Sequence, residues 1–193
     1  MIKDLLAKDE GKTLEFKGNC RSLTNIMRTA VAFANTAGGS IVLGVKDKTK
    51  DVLGLSDALK DEERLANSFA DSITPLLIPE IQIHAWRDRE LIVVTVPHTA
   101  GPFYIKAEGL ENGVYIRLGS TNRRAGSEMI AELQRLARNS FFDEKPFPEI
   151  NSEDIDFRAA SEFFSAVARK LTSPRMESLG LVVDHGGNSS RAF

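Results

Sequence analysis

Between Thr13 and Leu55 the sequence reads strand, amphipathic helix, paired glycines, apolar strand and polar turn, in close succession. That order admits little but an α/β fold. Leu14 and Phe16 alternate with Thr13, Glu15 and Lys17, as in a half-buried strand. Ser22 or Thr24 can cap a following helix, in which Leu23, Ile26, Met27, Ala30, Val31 and Ala34 keep helical spacing. Asn35 and Thr36 end it, and Gly38-Gly39 give freedom for a tight turn. Ser40 to Val45 suits a central strand. The polar turn Asp47 to Asp51 leads into Val52-Leu53-Gly54-Leu55, which predicts a hairpin.

Further along, Leu65, Ala66, Phe69, Ala70 and Ile73 define a second amphipathic helix, stopped by Pro75 and Pro79. Ile81, Ile83 and Ala85 alternate, Asp88-Arg89 can turn the chain, and Leu91 to Val96 follows, giving a second hairpin. After a loop from Pro97 to Pro102, Val114, Ile116 and Leu118 point one way while Tyr115, Arg117 and Gly119 point the other. Ser127 is placed to cap a third helix with Met129, Ile130, Leu133 and Leu136 on its apolar face. Residues 139–152 read as an acidic, proline-bearing linker. A fourth helix is expected from 156 to 171, burying Phe157, Ala160, Phe164 and Val167, and the stretch 184–190 has turn composition. The expected fold is therefore α/β, a mixed, mostly antiparallel sheet with flanking helices, over residues 1–138. A linker and C-terminal helical appendage occupy 139–193.

Composition excludes several classes. In 193 residues there is one cysteine, Cys20, so neither an internal disulfide nor a Cys-rich zinc site can form. His84, His98 and His185 show no ligand spacing. No apolar run approaches the roughly 18 residues of a membrane helix, and the N-terminus lacks a signal peptide's apolar core. A cytoplasmic protein is expected, with no membrane partner. The net charge is −2, but its distribution is uneven: Gly11 to Ala30 holds Lys12, Lys17, Arg21 and Arg28 against Glu15 alone, and Tyr115 to Arg124 holds Arg117, Arg123 and Arg124 with no acid. Residues 143–162 are strongly acidic. A basic core beside an acidic tail could present one phosphate-binding face, or simply a solvated surface.

Taken together, Leu14-Glu15-Phe16-Lys17, Ala32-Phe33-Ala34-Asn35-Thr36-Ala37-Gly38-Gly39-Ser40-Ile41-Val42-Leu43-Gly44-Val45-Lys46-Asp47 and Val52-Leu53-Gly54-Leu55 resemble the Schlafen AlbA_2 domain, an AlbA-type DNA-binding domain often found at the front of bacterial transcriptional regulators. Val114 to Thr121 is a further piece of the resemblance, which spans about Lys12 to Leu136. It implies a nucleic-acid-binding module, for DNA more than RNA, with no cofactor. Lys17, Arg21, Arg117, Arg123 and Arg124 are then the phosphate-contacting set. Larger C-terminal regions commonly follow this domain, so a truncated or short product is expected here. The cores it resembles set two such lobes side by side, which implies a homodimer.

Two other readings stay open. In Schlafen relatives that cut RNA, a run resembling Glu10 to Lys17 supplies two acids and a Gly-Val-x-Asp turn a third. The resemblance thus carries Glu10, Glu15 and Asp47 as catalytic, metal-holding residues for Mg²⁺ or Mn²⁺ in an endoribonuclease. Spacing alone does not put Glu10 and Glu15 on one face of a strand, so Gly11 would have to break it. Alternatively the domain is a non-catalytic interaction module. The Asn35 to Gly39 turn could cradle a phosphate, but its glycines follow a helix rather than precede one, which favours a helix cap. Trp86, Tyr104 and Tyr115 could stack on bases or pack in the core.

Overall fold

The computed structural model describes residues 2–138, 146–151, 158–166, 170–179, 183–185 and 188–192. The chain divides into two compact units, Met1–Ala137 and Arg138–Phe193. No helix of the described residues is long and apolar enough to cross a membrane.

The first unit is built on a four-stranded mixed sheet of order β1-β2-β5-β4, in which β1 (Leu14–Lys17) runs parallel to β2 (Gly39–Leu43) and all other pairs are antiparallel. β4 (Glu80–Trp86) and β5 (Arg89–Val96) form the expected hairpin. Strand alternation sorts the apolar residues onto two faces. Ile41, Leu43, Ile92 and Val94 meet Ile26, Met27, Ala30, Val31 and Phe33 of α2 (Leu23–Ala34), with Leu65 and Phe69 of α3 (Ala58–Ser72). Val42, Leu91 and Val93 face the other way and pack with Leu14, Phe16, Trp86 and the short α1 (Ile2–Leu6). Each fully buried aliphatic side chain contributes about 1.5–3 kcal/mol. The single helix α2 buries eight residues, so it anchors the domain.

The anticipated hairpin from Ser40 to Leu55 reduces to an isolated bridge, Val45 to Val52. β2 takes its partners from β1 and β5 instead, because a fully buried strand needs a neighbour on each side. Two-stranded pairs complete the unit: β3 (Ile73–Thr74) with β6 (Tyr104–Ile105), and β7 (Tyr115–Leu118) with β8 (Thr121–Arg124). After β6 a 3-10 turn (Lys106–Glu108) leads into α4 (Gly109–Gly113). α5 (Ser127–Ala137) begins at Ser127 itself, which is therefore inside the helix rather than its cap. Ile130 and Leu133 of α5 pack with Val114, Ala125 and the partly buried Ile116. The phase expected for β7 needs correction. Tyr115 and Arg117 are the buried residues, and Leu118 is 60% exposed, because β7 lies against α2 on one side and α5 on the other.

In the second unit the expected helix forms as α6 (Arg158–Ala166), followed by α7 (Ser173–Ser178). Phe157, Val167 and the side chain of Ala160 lie outside the described residues; Phe164 is half-buried. The appendage is not only helical. β9 (Pro146–Asn151), β10 (Val183–His185) and β11 (Asn188–Ala192) form a three-stranded antiparallel sheet of order β10-β11-β9. β9 takes the end of the expected linker, and β10 and β11 take part of the expected turn stretch, because pairing partners distant in sequence override weak local β preference. Residues 139–145, 152 and 186–187 lie outside the described residues.

Candidate nucleic-acid interface

The free edge of β1 organises the site. Parallel pairing turns the backbone groups of Thr13, Glu15 and Lys17 toward β2, and those of Leu14 and Phe16 outward. Bends at residues 10–13 fold the preceding chain back along this edge, with Gly11 N–H donating to Leu14 O at 3.0 Å. Glu10 Oε1 then accepts the Phe16 N–H at 2.6 Å. The reversal is not specific to glycine: Gly11 has no left-handed φ, and a Cβ there would meet nothing within 4 Å.

Asp47 lies exposed in the turn after β2, which is closed by Lys46 N–H to Asp51 O at 2.9 Å. The Glu10 carboxyl is pushed up by burial; the Phe16 N–H opposes the rise, while a hydrogen bond with Asp47 and the charges of Glu15 and Asp47 add to it. Glu15 is engaged by two cations, Lys17 Nζ on Oε1 and Arg117 Nη2 on Oε2, each at 2.6 Å. Glu10 and Asp47 therefore come together, with Glu15 beside them in an ion pair. Among the described residues no group of three His, Cys, Asp or Glu has metal-holding geometry.

Arg117 lies where a phosphate cannot reach it. Its residue is 2% exposed. Nε donates to Gly11 O at 3.0 Å, Nη1 to Asn122 Oδ1 at 2.8 Å, and Nη2 to Glu15, while the guanidinium sits 5.2 Å from the Phe33 ring centroid. It is a strut joining β7 to the β1 edge. Arg123 and Arg124, adjacent in sequence, sit on opposite faces of β8. Arg124 is opposite Tyr115 and Arg123 opposite Ile116, and cross-strand partners share a face. Arg124 joins a cluster in which Tyr115 Oη donates to Glu108 Oε2 at 2.7 Å and Arg28 Nη2 meets Glu108 Oε1 at 2.6 Å. Burial works against the Glu108 charge, but hydrogen bonds from Arg28 and Tyr115 outweigh it and hold the carboxyl below its usual range. Arg123 is exposed, with no partner among the described residues. Tyr115 is buried in this cluster, while Trp86 against the α1 face and Tyr104 beside α5 are partly buried.

Lys17 opens on a polar cleft of about 260 Å³, lined also by Asn19, Ser22, Asn25 and Asp47. Arg21 is exposed between two of these residues in sequence. Lys46 and Lys48, exposed on either side of Asp47, extend the basic border; the sequence reading missed both. The first turn of α2 lies here, and its Ser22 cap makes no side-chain hydrogen bond. By contrast, the turn after α2 holds the N–H groups of Asn35 to Gly38 inward, away from an anion. Thr36, Ala37 and Gly38 N–H all donate to Phe33 O. The buried Asn35 amide bonds Phe103 O, Phe103 N–H and Tyr115 O, and Thr36 Oγ1 accepts from Arg117 N–H. Gly38 adopts φ +68°, and a Cβ on Gly39 would stand 2.7 Å from Thr13 O, so both glycines are required by the turn.

No curated protein matches the chain. Among solved structures, the N-terminal domain of a RecG-related protein from Nitrosomonas europaea is 34% identical, over 63% of this chain and 91% of that one, with a TM-score of 0.48. The DIP2311 protein of Corynebacterium diphtheriae is 17% identical with a TM-score of 0.55, covering 98% of this chain, which spans only 37% of that structure. The latter likeness is one of fold alone. The Schlafen, AlbA_2 family matches over residues 10–126, and the chain belongs to it.

Proposed function

We propose that this chain is a nucleic-acid-binding module that holds a phosphate backbone across the cleft at the end of β1. The observation that carries this reading is the cleft itself: Lys17, Asn19, Ser22, Asn25 and Asp47 line it, and exposed Arg21, Lys46 and Lys48 border it in sequence. Lysines and arginines supply salt-sensitive affinity, and hydroxyl and amide groups at a helix start position the backbone without reading sequence. Family membership agrees with this reading. In the transcriptional-regulator setting implied by the family resemblance, duplex DNA is the expected ligand. Retention of labelled duplex DNA and tRNA, titrated with salt, tests it. Binding that weakens in Lys17→Ala/Arg21→Ala supports the reading; absence of retention for both nucleic acids refutes it.

A second reading, a metal-dependent endoribonuclease, is favoured by the convergence of Glu10 and Asp47. Because Glu15 is already paired with Lys17 and Arg117, a Mg²⁺ or Mn²⁺ ion would rest on Glu10 and Asp47 with water completing its shell. Such an ion would activate water toward a phosphodiester. Under this reading Mn²⁺ raises the melting temperature by mass action, and Glu10→Gln and Asp47→Asn abolish both that rise and tRNA cleavage. Retention without cleavage in Mn²⁺ leaves the binding module alone.

A further inference from the structure

β4 is the other edge of the central sheet, and it is open. Its seven residues, Glu80–Trp86, pair with β5 without a register shift and contain no proline, lysine or bulge. These are the devices by which proteins commonly blunt such an edge. The turn at Arg87-Asp88 makes Trp86 and Arg89 a hydrogen-bonded pair. Trp86, His84, Gln82 and Glu80 therefore direct their backbone groups to β5, while Ala85, Ile83 and Ile81 direct theirs outward. Among the described residues no strand other than β5 pairs with β4. Immediately before it, Leu76 and Ile78 are 63% and 75% exposed.

We propose that the β4 edge is a homodimer interface in which two copies pair their β4 strands antiparallel, joining two four-stranded sheets into one. The strand is self-complementary. A two-fold axis through Ile83 overlaps all seven residues and matches the outward-facing groups of Ile81 with those of the second copy's Ala85, adding on the order of six backbone hydrogen bonds. It sets Glu80 opposite the second copy's Trp86, with the exposed Arg87 one position beyond, so an acid and a base lie close in sequence register at each end. It also places each Gln82, whose amide donates to Glu80 at 2.8 Å, across from the other copy's His84. A foreign peptide would satisfy the backbone but nothing on the strand specifies it. Leu76 and Ile78, lying beyond Glu80, extend the contact past the second copy's turn.

Sedimentation velocity on the full chain, from roughly 1 to 100 µM, should show a dimer that dissociates on dilution. Ala85→Pro removes an outward N–H while keeping the β5 pairing, and should weaken association at least tenfold with an unchanged far-UV spectrum. Ile83→Cys should cross-link to itself on oxidation, since Cys20 is buried. A monomer mass at every concentration would overturn the proposal, as would a dimer insensitive to Ala85→Pro. Should Ala85→Pro disturb the spectrum, the cross-link decides: its absence counts against the interface.

Discussion

Along the β1 edge, the Phe16 N–H is taken by Glu10 and the Leu14 carbonyl by Gly11 and Arg117. Along the β4 edge, Ile81, Ile83 and Ala85 present their backbone groups with no strand partner among the described residues. One sheet thus has a sealed border and an open one. The sealed border carries the residues that the family resemblance marks as chemical, and it makes structural use of them. Glu10 substitutes for a missing strand neighbour, and Glu15 neutralises a buried guanidinium. What lies open to a ligand is at the end of β1: the cleft beside Lys17, whose Nζ pairs with Glu15, the exposed Arg21, and the turn around Asp47. The open border offers backbone groups, with Glu80, Gln82 and His84 among the strand's side chains.

The contrast predicts unequal sensitivity. Glu15→Ala leaves Arg117 buried without its counter-charge and should cost about 3–5 kcal/mol in urea unfolding. Equal stability to the wild type would break the idea of a sealed edge. Asn35→Ala, which orphans groups on Phe103 and Tyr115, should cost about 2–3 kcal/mol by the same measurement. At protein concentrations too low for association, Ala85→Pro should change stability by about 1 kcal/mol or less.

Smaller still are the pH effects, which differ in sign. The folded Glu10 carboxyl titrates above its unfolded value, so its contribution is present at low pH and lost as pH rises through the raised value. Glu108 titrates below, so its contribution is present above the unfolded value and lost as pH falls through the lowered one. Relative to wild type, Glu10→Gln should therefore become more stable as pH rises through the carboxylate range, and Glu108→Gln less stable. Parallel pH profiles of the two variants would show that one of the environments is misread.

Much of this was legible in the sequence. The helical spacing from Leu23 to Ala34 and the alternation around Phe16 are local patterns, and α2 and β1 follow them. The placing of Arg117 was not legible. In Tyr115-Ile116-Arg117-Leu118 either phase of a strand is plausible, and the basic residue was assigned to solvent. Its burial depends on Glu15, about a hundred positions earlier, on Asn122 and on the Phe33 ring. The run Arg123-Arg124 likewise read as one patch because sequence does not weigh the opposite faces of adjacent strand residues. The Ser40 to Leu55 hairpin was misjudged because β2 finds its partners in β1 and β5 rather than in the nearest apolar run.

The central claim, that nucleic acid lies against the end of β1 and not along the β7–β8 hairpin, is tested most directly by salt titration of duplex DNA binding. Wild type, Lys17→Ala/Arg21→Ala and Arg123→Ala should be compared side by side. The double variant should lose affinity and its salt slope should fall by about two phosphate contacts, while Arg123→Ala stays close to wild type. A flat response in the double variant, with loss of binding and slope in Arg123→Ala, would contradict the account and move the interface to the hairpin.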